Sequence, residues 1–216
     1  MTSFYEKSHA SHLAKVKDLA PEQAQAFYKM DAEVFKDGAL NKKEKEIIAV
    51  AIAHITECPY CIDVHTKNAK KEGATLEELA EAVFVAAALE AGGAVTHATH
   101  IQNALEKDTN YSLYERSNLK KIGELNKHAP VGFAGYSEFN TAAVKAGKLT
   151  VKLKEIIAVA VATATQCPYC IEVHAKKAAE AGATKEELSE AILVTAALRA
   201  GGAYAHMANM IESYHE

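Results

Sequence analysis

The sequence predicts an all-α protein built from two copies of one helical module. Three observations support this: helical spacing of apolar residues, capping signals at matching positions, and an internal repeat. Glu-Ile-Ile-Ala-Val-Ala occupies residues 46–51 and recurs at 155–160, an offset of 109 residues. When residues 46–97 are aligned without a gap to 155–206, 34 of the 52 positions are identical. Identity at this level indicates a gene duplication.

The repeat predicts one helical module over residues 1–108 and a second over residues 109–216. The boundary is expected near residues 107–111, where Lys-Asp-Thr-Asn separates the last apolar stripe of the first copy from a new start. We expect about six helices in each copy. Two repeats are too few for a solenoid, so the copies can share one core.

Capping signals define the predicted helices in chain order. Ser-x-x-Glu boxes at residues 3–6 and 112–115 open the two copies, and an Asn-x-x-Glu box at residues 41–44 opens the helix that carries Ile47 and Val50. Glycines are expected to end the next helices in a left-handed cap, and Thr-x-x-Glu boxes restart the chain two residues later. These signals are Gly73 with Thr75-x-x-Glu78, and Gly182 with Thr184-x-x-Glu187.

The Ala-rich segments 76–91 and 185–200 follow these boxes and are predicted to be helices that allow close helix packing. We expect them to stop at the Gly-Gly pairs 92–93 and 201–202, after which a final helix carries His97 or His206. No alternating strand pattern competes with this interpretation.

Composition and charge exclude several classes of protein. With 49% hydrophobic and 24% charged residues, the chain is typical of a soluble globular protein with a substantial core. The net charge of −4 gives no basic field for nucleic acid. The start lacks the apolar segment of a signal peptide, and the other apolar stretches are judged too short to span a membrane. We therefore expect a cytoplasmic protein with neither nucleic acid nor a membrane as a partner.

All four cysteines fall into two Cys-Pro-Tyr-Cys motifs, at residues 58–61 and 167–170. In an intracellular chain this spacing indicates redox chemistry or metal binding rather than a structural disulfide framework. Proline after the first cysteine fits the first turn of a helix, so both sulfurs of a motif are expected at a helix N-terminus. Backbone N–H groups there stabilise a thiolate and can lower the pKa of a cysteine from about 8.5 to roughly 3.5–7.5.

Each motif has a histidine and a glutamate at fixed spacing. His65 and His174 come four residues after the second cysteine, on the same helix face. Glu46 and Glu155 come twelve residues before the first cysteine, in the first turn of the preceding helix. Each glutamate can serve as a proton acceptor or orient the histidine.

Structural interpretations of these residues remain open. The cysteines can be buried apolar residues, the histidines can lie on a solvated face, and the glutamates can simply complement a helix dipole at an exposed helix start. Tyr60 and Tyr169 are more typical of packing, whereas His97 and His206 are equally compatible with core and site. Helix position favours Cys58 and Cys167 as attacking thiols, but the histidine spacing favours Cys61 and Cys170.

The repeated pattern Glu-x11-Cys-x2-Cys-x3-His resembles the motif of the carboxymuconolactone decarboxylase and alkylhydroperoxidase D (AhpD) superfamily. The resemblance implies that Cys61 and Cys170 react with peroxide, that Cys58 and Cys167 resolve the sulfenate, and that Glu and His form a proton relay. AhpD carries histidine where this chain has Tyr60 and Tyr169, so His97 and His206 are candidate substitutes. The decarboxylase branch lacks the cysteine pair, so lactone decarboxylation is not expected.

The leading hypothesis is a thiol peroxidase without a cofactor, which reduces a small peroxide and is reset by a dithiol or thioredoxin-like reductant. A second hypothesis is a thiol–disulfide oxidoreductase without peroxidase activity. A third is a Cys2His2 metal site made by Cys58, Cys61, His65 and His97, and duplicated in the other half. The Ala-rich helices predict a ring-shaped homo-oligomer. The family resemblance points the same way, because single-module members tend to form hexamers, and it implies a homotrimer for this tandem chain.

Overall fold

The computed structural model describes residues 5–105 and 114–215, and all the regular secondary structure in these ranges is helical. This confirms the all-α prediction. Short 3-10 helices at Lys7–His12 and Arg116–Lys121 precede α1 and α6. The α-helices are α1 (Leu13–Leu19), α2 (Pro21–Val34), α3 (Lys42–Ile55), α4 (Pro59–Lys71), α5 (Leu76–Leu105), α6 (Ile122–His128), α7 (Pro130–Val144), α8 (Val151–Ala164), α9 (Pro168–Glu180), α10 (Lys185–Ala205) and α11 (Met207–His215).

The predicted capping boxes form wherever the structure describes them. The side chain of Asn41 accepts a hydrogen bond from the backbone of Glu44, and the Glu44 carboxylate accepts one from the backbone of Asn41. The threonine boxes at the starts of α5 and α10 are closed in the same way. The predicted boxes at residues 3–6 and 112–115, and the expected module boundary, include positions outside the described residues, so these remain predictions.

Left-handed residues end the helices on either side of the cysteine motifs. Gly73 and Gly182 have φ angles of 85° and 87°, which confirms the predicted glycine caps. The same conformation occurs without glycine immediately before each first cysteine, at Glu57 (φ 52°) and Gln166 (φ 58°). Non-glycine residues pay a steric cost there. The cost is offset because this conformation turns the next backbone N–H group back toward the helix that has just ended. The N–H of Cys58 donates a hydrogen bond to a carbonyl near the end of α3, and the N–H of Cys167 donates one near the end of α8.

The predicted helix ends at the Gly-Gly pairs are wrong. Helix α5 runs through Gly92 and Gly93 to Leu105, and α10 runs through Gly201 and Gly202 to Ala205. These glycines keep a negative φ, unlike Gly73 and Gly182, and an α-helix tolerates such glycines at a cost of about 0.5–1 kcal/mol each relative to alanine. Within residues 5–105 and 114–215, a separate final helix occurs in the second module alone, where α11 follows His206.

The two modules share a single main core. Helices α3 and α8, which carry the repeated Glu-Ile-Ile-Ala-Val-Ala segment, pack against each other. Their apolar side chains are almost completely buried and belong to one cluster with residues of α5 and α10. The long helices cross between modules, since α5 packs on α8 and α10 packs on α3. Each module therefore packs its long helix into the core of the other. The sequence was compatible with one shared core but did not decide between a shared core and two separate ones.

Two matching ion pairs fix this crossover. The Glu190 carboxylate of α10 accepts hydrogen bonds from the backbone N–H groups of Ala39 and Leu40, at 2.8 and 2.9 Å, and lies 3.1 Å from the Lys45 ammonium. In the other direction, Glu81 of α5 bonds the backbone N–H groups of Lys148 and Leu149 and pairs with Lys154. Each glutamate thereby holds the loop before the central helix of the other module.

Helix α5 also corrects the expectation that every apolar stretch is too short to span a membrane. Its segment Leu76–Ile101 is long and apolar enough by length and composition alone. The segment is partly buried inside the protein, and α5 packs against α3, α7 and α8. Core helices of soluble proteins pass the same test, so this segment is weak evidence for a membrane protein.

Candidate active site

Each cysteine motif lies at the start of a helix, as predicted. Cys58 is the N-cap of α4, Pro59 is its first residue, and the Cys58 sulfur accepts a hydrogen bond from the backbone N–H of Cys61 at 3.3 Å. Cys167 and Cys170 repeat this arrangement at α9, with a distance of 3.2 Å. Both pairs are closed as disulfides with Cα atoms 5.3 Å apart. The cysteines of each motif are therefore close enough to form a disulfide within one helical turn.

A buried carboxylate contacts the motif histidine in both modules. The Glu46 Oε2 atom lies 2.8 Å from the His65 Nδ1 atom, and the equivalent Glu155–His174 distance is 2.7 Å. Glu46 is only 2% exposed, so the interpretation of Glu46 as an acid at an exposed helix start is wrong. It is the fifth residue of α3, and its side chain faces α4 rather than solvent. The contact fixes Nδ1 of the histidine and leaves Nε2 for other chemistry.

Because α5 and α10 cross between the modules, His97 and His206 each lie beside the cysteine motif of the other module. The His206 ring lies 6.4 Å from Tyr60 of the first motif, and His97 lies 6.4 Å from Tyr169 of the second. The proposed metal set is therefore wrong, because His97 belongs to the other site from Cys58, Cys61 and His65. Among residues 5–105 and 114–215, no group of three or more His, Cys, Asp or Glu side chains is placed to hold a metal ion.

The tyrosines between the cysteines are buried and hydrogen-bonded. Tyr60 donates to the Asn209 side chain at 2.9 Å, and the Tyr169 hydroxyl accepts from Asn118 at 2.8 Å. Burial raises the pKa of Tyr60, so its phenol stays protonated at neutral pH. These contacts are those of packing residues, although Tyr60 also lines the cleft described next.

The first site opens into a cleft of about 460 Å³ between α2, α3, α4 and α10. Cys61, His65 and Glu46 line this cleft, whereas Cys58 is fully buried and does not. Most of the remaining wall is apolar or aromatic, and the hydroxyls of Tyr28 and Tyr204 are hydrogen-bonded to each other across α2 and α10. The cleft therefore admits a small organic molecule to the second cysteine of the motif and not to the first.

The two sites differ at positions that the repeat aligns. At the second site the Thr96 hydroxyl of α5 lies 3.4 Å from the Cys167 sulfur and 3.7 Å from that of Cys170. Its counterpart beside the first site is Ala205, which has no hydroxyl. Asp31 lines the cleft of the first site, and the aligned residue of the second module is Asn140.

Sequence reasoning missed several residues that the structure brings to the sites. Phe35 stacks on the His65 ring with the centroids 5.3 Å apart, and His100 lies 6.1 Å from Tyr169. Phe35 follows the end of α2 and His100 lies on α5, so both are distant in sequence from the motif they approach, and neither belongs to a motif. Differences between aligned positions of the two modules, such as Asp31 and Asn140, were visible in the sequence. These differences were the signal that could have directed attention to side chains outside the motif.

Comparison with known proteins agrees with this arrangement. The model of the carboxymuconolactone decarboxylase family matches the chain twice, over residues 21–104 and 130–213. The chain belongs to the carboxymuconolactone decarboxylase family. The two matches confirm both the resemblance found in the sequence and the duplication. Family membership and the two cysteine pairs at disulfide distance are compatible with a redox role.

Two relatives, each matching about two fifths of this chain, carry names that assign no activity. Uncharacterized protein 4 in the cox locus of Paracoccus denitrificans is 49% identical over 82 residues, which is 38% of this chain and 74% of that protein. An uncharacterized protein of Haemophilus influenzae is 39% identical over 95 residues, 44% of this chain and 84% of that protein.

A solved structure shares the fold across both modules. The crystal structure of a putative gamma-carboxymuconolactone decarboxylase subunit from Burkholderia xenovorans superposes with a TM-score of 0.65. The superposition covers 93% of this chain and 89% of the other at 23% identity. At this identity the likeness concerns the fold alone.

Proposed function

We propose that this protein is a thiol peroxidase that reduces a small organic hydroperoxide through its cysteine pairs. The observation that carries the proposal is the different accessibility of the two sulfurs at the first site. Cys61 lines a cleft beside the Glu46–His65 pair, while Cys58 is buried behind it. An attacking thiol needs access to substrate and a nearby base, and a resolving thiol needs only to reach the first sulfur.

In the proposed cycle, the Glu46–His65 pair takes the proton of the Cys61 thiol. The thiolate attacks the terminal peroxide oxygen, so that an S–O bond forms, the O–O bond breaks, and a sulfenic acid and an alcohol result. The Cys58 thiol then attacks the Cys61 sulfur and releases water, which closes the disulfide. A dithiol or thioredoxin-like protein returns the pair to the reduced state by thiol–disulfide exchange. We place this cycle in the cytoplasm, where such reductants operate.

The cleft supports an organic peroxide as substrate. Its volume of about 460 Å³ exceeds what hydrogen peroxide needs, and its wall is mainly apolar and aromatic. Such walls bind apolar groups and orient them with a few polar side chains. A thiol–disulfide oxidoreductase without peroxidase activity is the second candidate, since the paired cysteines at helix N-termini suit that reaction equally.

Paired cysteine substitutions test the proposal. We expect Cys61→Ser with Cys170→Ser to abolish peroxide consumption by the reduced protein. We expect Cys58→Ser with Cys167→Ser to leave one stoichiometric turnover that ends in a sulfenate, which a sulfenate-specific probe detects by mass spectrometry. The reverse pattern would assign the opposite roles to the cysteines. Disulfide exchange by the unmodified protein without any peroxide consumption would favour the second candidate.

A further inference from the structure

A carboxyl group outside the repeated motif lies in the cleft of the first site. Asp31 is on α2 and lines the same cleft as Cys61, Glu46 and His65. It is half-buried, and the catalytic motif provides no role for it. Besides Glu46 the cleft therefore holds two carboxyl groups, Asp63, which is paired with Lys7 and Lys67, and Asp31.

The second module lacks this carboxyl group. The offset of 109 residues aligns Asp31 with Asn140, although it preserves the Glu, both Cys and the His of the motif. Asparagine has nearly the same shape as aspartate but cannot supply an acidic proton. The repeat thus has either side chain at this position, and the carboxyl group is present only in the first module.

Reduction of a hydroperoxide needs a proton at the leaving oxygen, because an alkoxide is a strong base. In the proposed cycle the Glu46–His65 pair, whose atoms lie 2.8 Å apart, receives the proton of the attacking thiol and not of the leaving oxygen. We propose that Asp31 donates this proton at the first site, which is thereby specialised for alkyl hydroperoxides, whereas the second site lacks the donor. This inference rests on the proposed peroxidase function and adds a division between the two sites.

The surroundings of Asp31 favour a protonated carboxyl group. Burial raises its pKa, His65 opposes the effect, and the negative charge of Glu46 adds to it. A carboxyl group with a raised pKa is suited to general acid catalysis. The other titratable groups around the cleft come from every element that forms it: Lys7 from the first 3-10 helix, Tyr28 from α2, Lys42 from α3, Tyr60 and Asp63 from α4, and Tyr204 from α10, together with Tyr5.

The proposed step balances in protons and electrons. The Cys61 thiolate gives two electrons to the terminal oxygen, the O–O bond breaks, and the departing alkoxide takes the proton of Asp31 to leave as an alcohol. The proton held by the Glu46–His65 pair then restores Asp31. The sulfur is oxidised to a sulfenic acid, which Cys58 resolves with release of water, and the dithiol reductant completes the cycle.

The test compares two oxidants in full-length chains that keep one site each. Cys167→Ser with Cys170→Ser leaves the first site, and Cys58→Ser with Cys61→Ser leaves the second. Each chain is reduced, freed of reductant, and mixed with an alkyl hydroperoxide or with a peracid, and thiol loss is followed by rapid quench. A peracid releases a carboxylate, a weak base that departs without an added proton.

In the first-site chain, Asp31→Asn should slow the reaction with the alkyl hydroperoxide about 100-fold, the lower end for general acid catalysis. The reaction with the peracid should be nearly unchanged. The ratio of the alkyl hydroperoxide rate to the peracid rate should therefore fall in the Asp31→Asn chain. The second-site chain, which has Asn140, should show the same low ratio.

Equal slowing with both oxidants would overturn the inference and leave Asp31 a structural role. An unchanged rate with both oxidants, or a second-site chain with the same ratio as the unmodified first site, would also overturn it. Failure of the unmodified first-site chain to react with either oxidant would refute the peroxidase proposal itself, and this inference with it.

Discussion

The reciprocal glutamates that join the modules give a stability prediction whose size follows from the structure. Glu190→Gln removes the charge that bonds two backbone N–H groups, at 2.8 and 2.9 Å, and that pairs with Lys45. Hydrogen bonds to a charged group contribute about 1.5–3 kcal/mol and neutral ones about 0.5–1.5 kcal/mol. Glutamine also presents an NH2 group to one of the two N–H donors, so one bond is lost.

The remaining cost comes from Lys45, whose side chain is only 4% exposed. Breaking a buried ion pair costs about 3–5 kcal/mol when the other charge is left uncompensated. Here the backbone carbonyl of Lys36 still accepts from the Lys45 ammonium, and Glu190 is partly exposed, so the cost is smaller. Because all these contacts share one partly exposed carboxylate, their costs do not add in full, and we expect Glu190→Gln to lower the free energy of unfolding by about 2–4 kcal/mol, out of a typical 5–15 kcal/mol.

Urea unfolding of the oxidised protein, followed by circular dichroism, measures this change. Glu81→Gln should cost a similar amount, because Glu81 makes the same contacts to the other module. Glu186→Gln is the matched control on α10, since this exposed side chain should change stability by less than about 0.5 kcal/mol. A Glu190→Gln protein as stable as the control would refute the assignment of these contacts as the join between modules.

The same contacts predict a pH dependence. Burial alone would raise the pKa of Glu190, but the N–H groups of Leu40 and Ala39 and the ammonium of Lys45 outweigh it and lower the pKa below the usual 4.5. The folded state therefore binds this proton less readily than the unfolded state. The contribution to stability is fully present above the unfolded pKa and is lost as the pH falls through the folded pKa. Glu190→Gln should reduce this acid-dependent loss, and an unchanged acid profile would contradict the prediction.

Three further predictions concern the site, the helix ends and assembly. Glu46→Gln should slow alkylation of the reduced Cys61 thiol between pH 5 and 9, because a neutral amide cannot hold the thiol proton; unchanged rates, equal to those of an exposed Glu22→Gln control, would argue against the relay. Gly73→Ala should destabilise the protein by about 1–2 kcal/mol, because Gly73 has a φ of 85°. Gly93→Ala should stabilise it by about 0.5–1 kcal/mol, because Gly93 lies inside α5 with open space at its Cβ position. Effects of the same sign in urea unfolding would contradict the assigned backbone conformations. Light scattering should give the mass of a homotrimer, since Leu76, Phe84 and Leu193 leave apolar surface exposed on α5 and α10; a stable mass near 23 kDa would exclude the ring.

Local features of the structure could be predicted from the sequence because they depend on neighbouring residues. Capping boxes, glycine caps and apolar periodicity are decided within one or two helical turns, so the starts of α3, α5 and α10 and the left-handed Gly73 and Gly182 were predicted correctly. The motif spacing predicted the cysteines at a helix N-terminus for the same reason. The Gly-Gly pairs were misread because glycine is permitted in both a helix interior and a helix end, and packing decides between them.

Tertiary structure alone decided how the sites are assembled. The repeat showed two equal motifs, but a sequence pattern carries no information on which long helix packs on which module. The crossover of α5 and α10 places His97 beside the second motif and His206 beside the first, and it brings Thr96 of α5 to the second site. Tertiary packing also buries Glu46, which the sequence placed at an exposed helix start. These facts depend on contacts between residues far apart in the chain, and the burial of one shared apolar core is what selects those contacts.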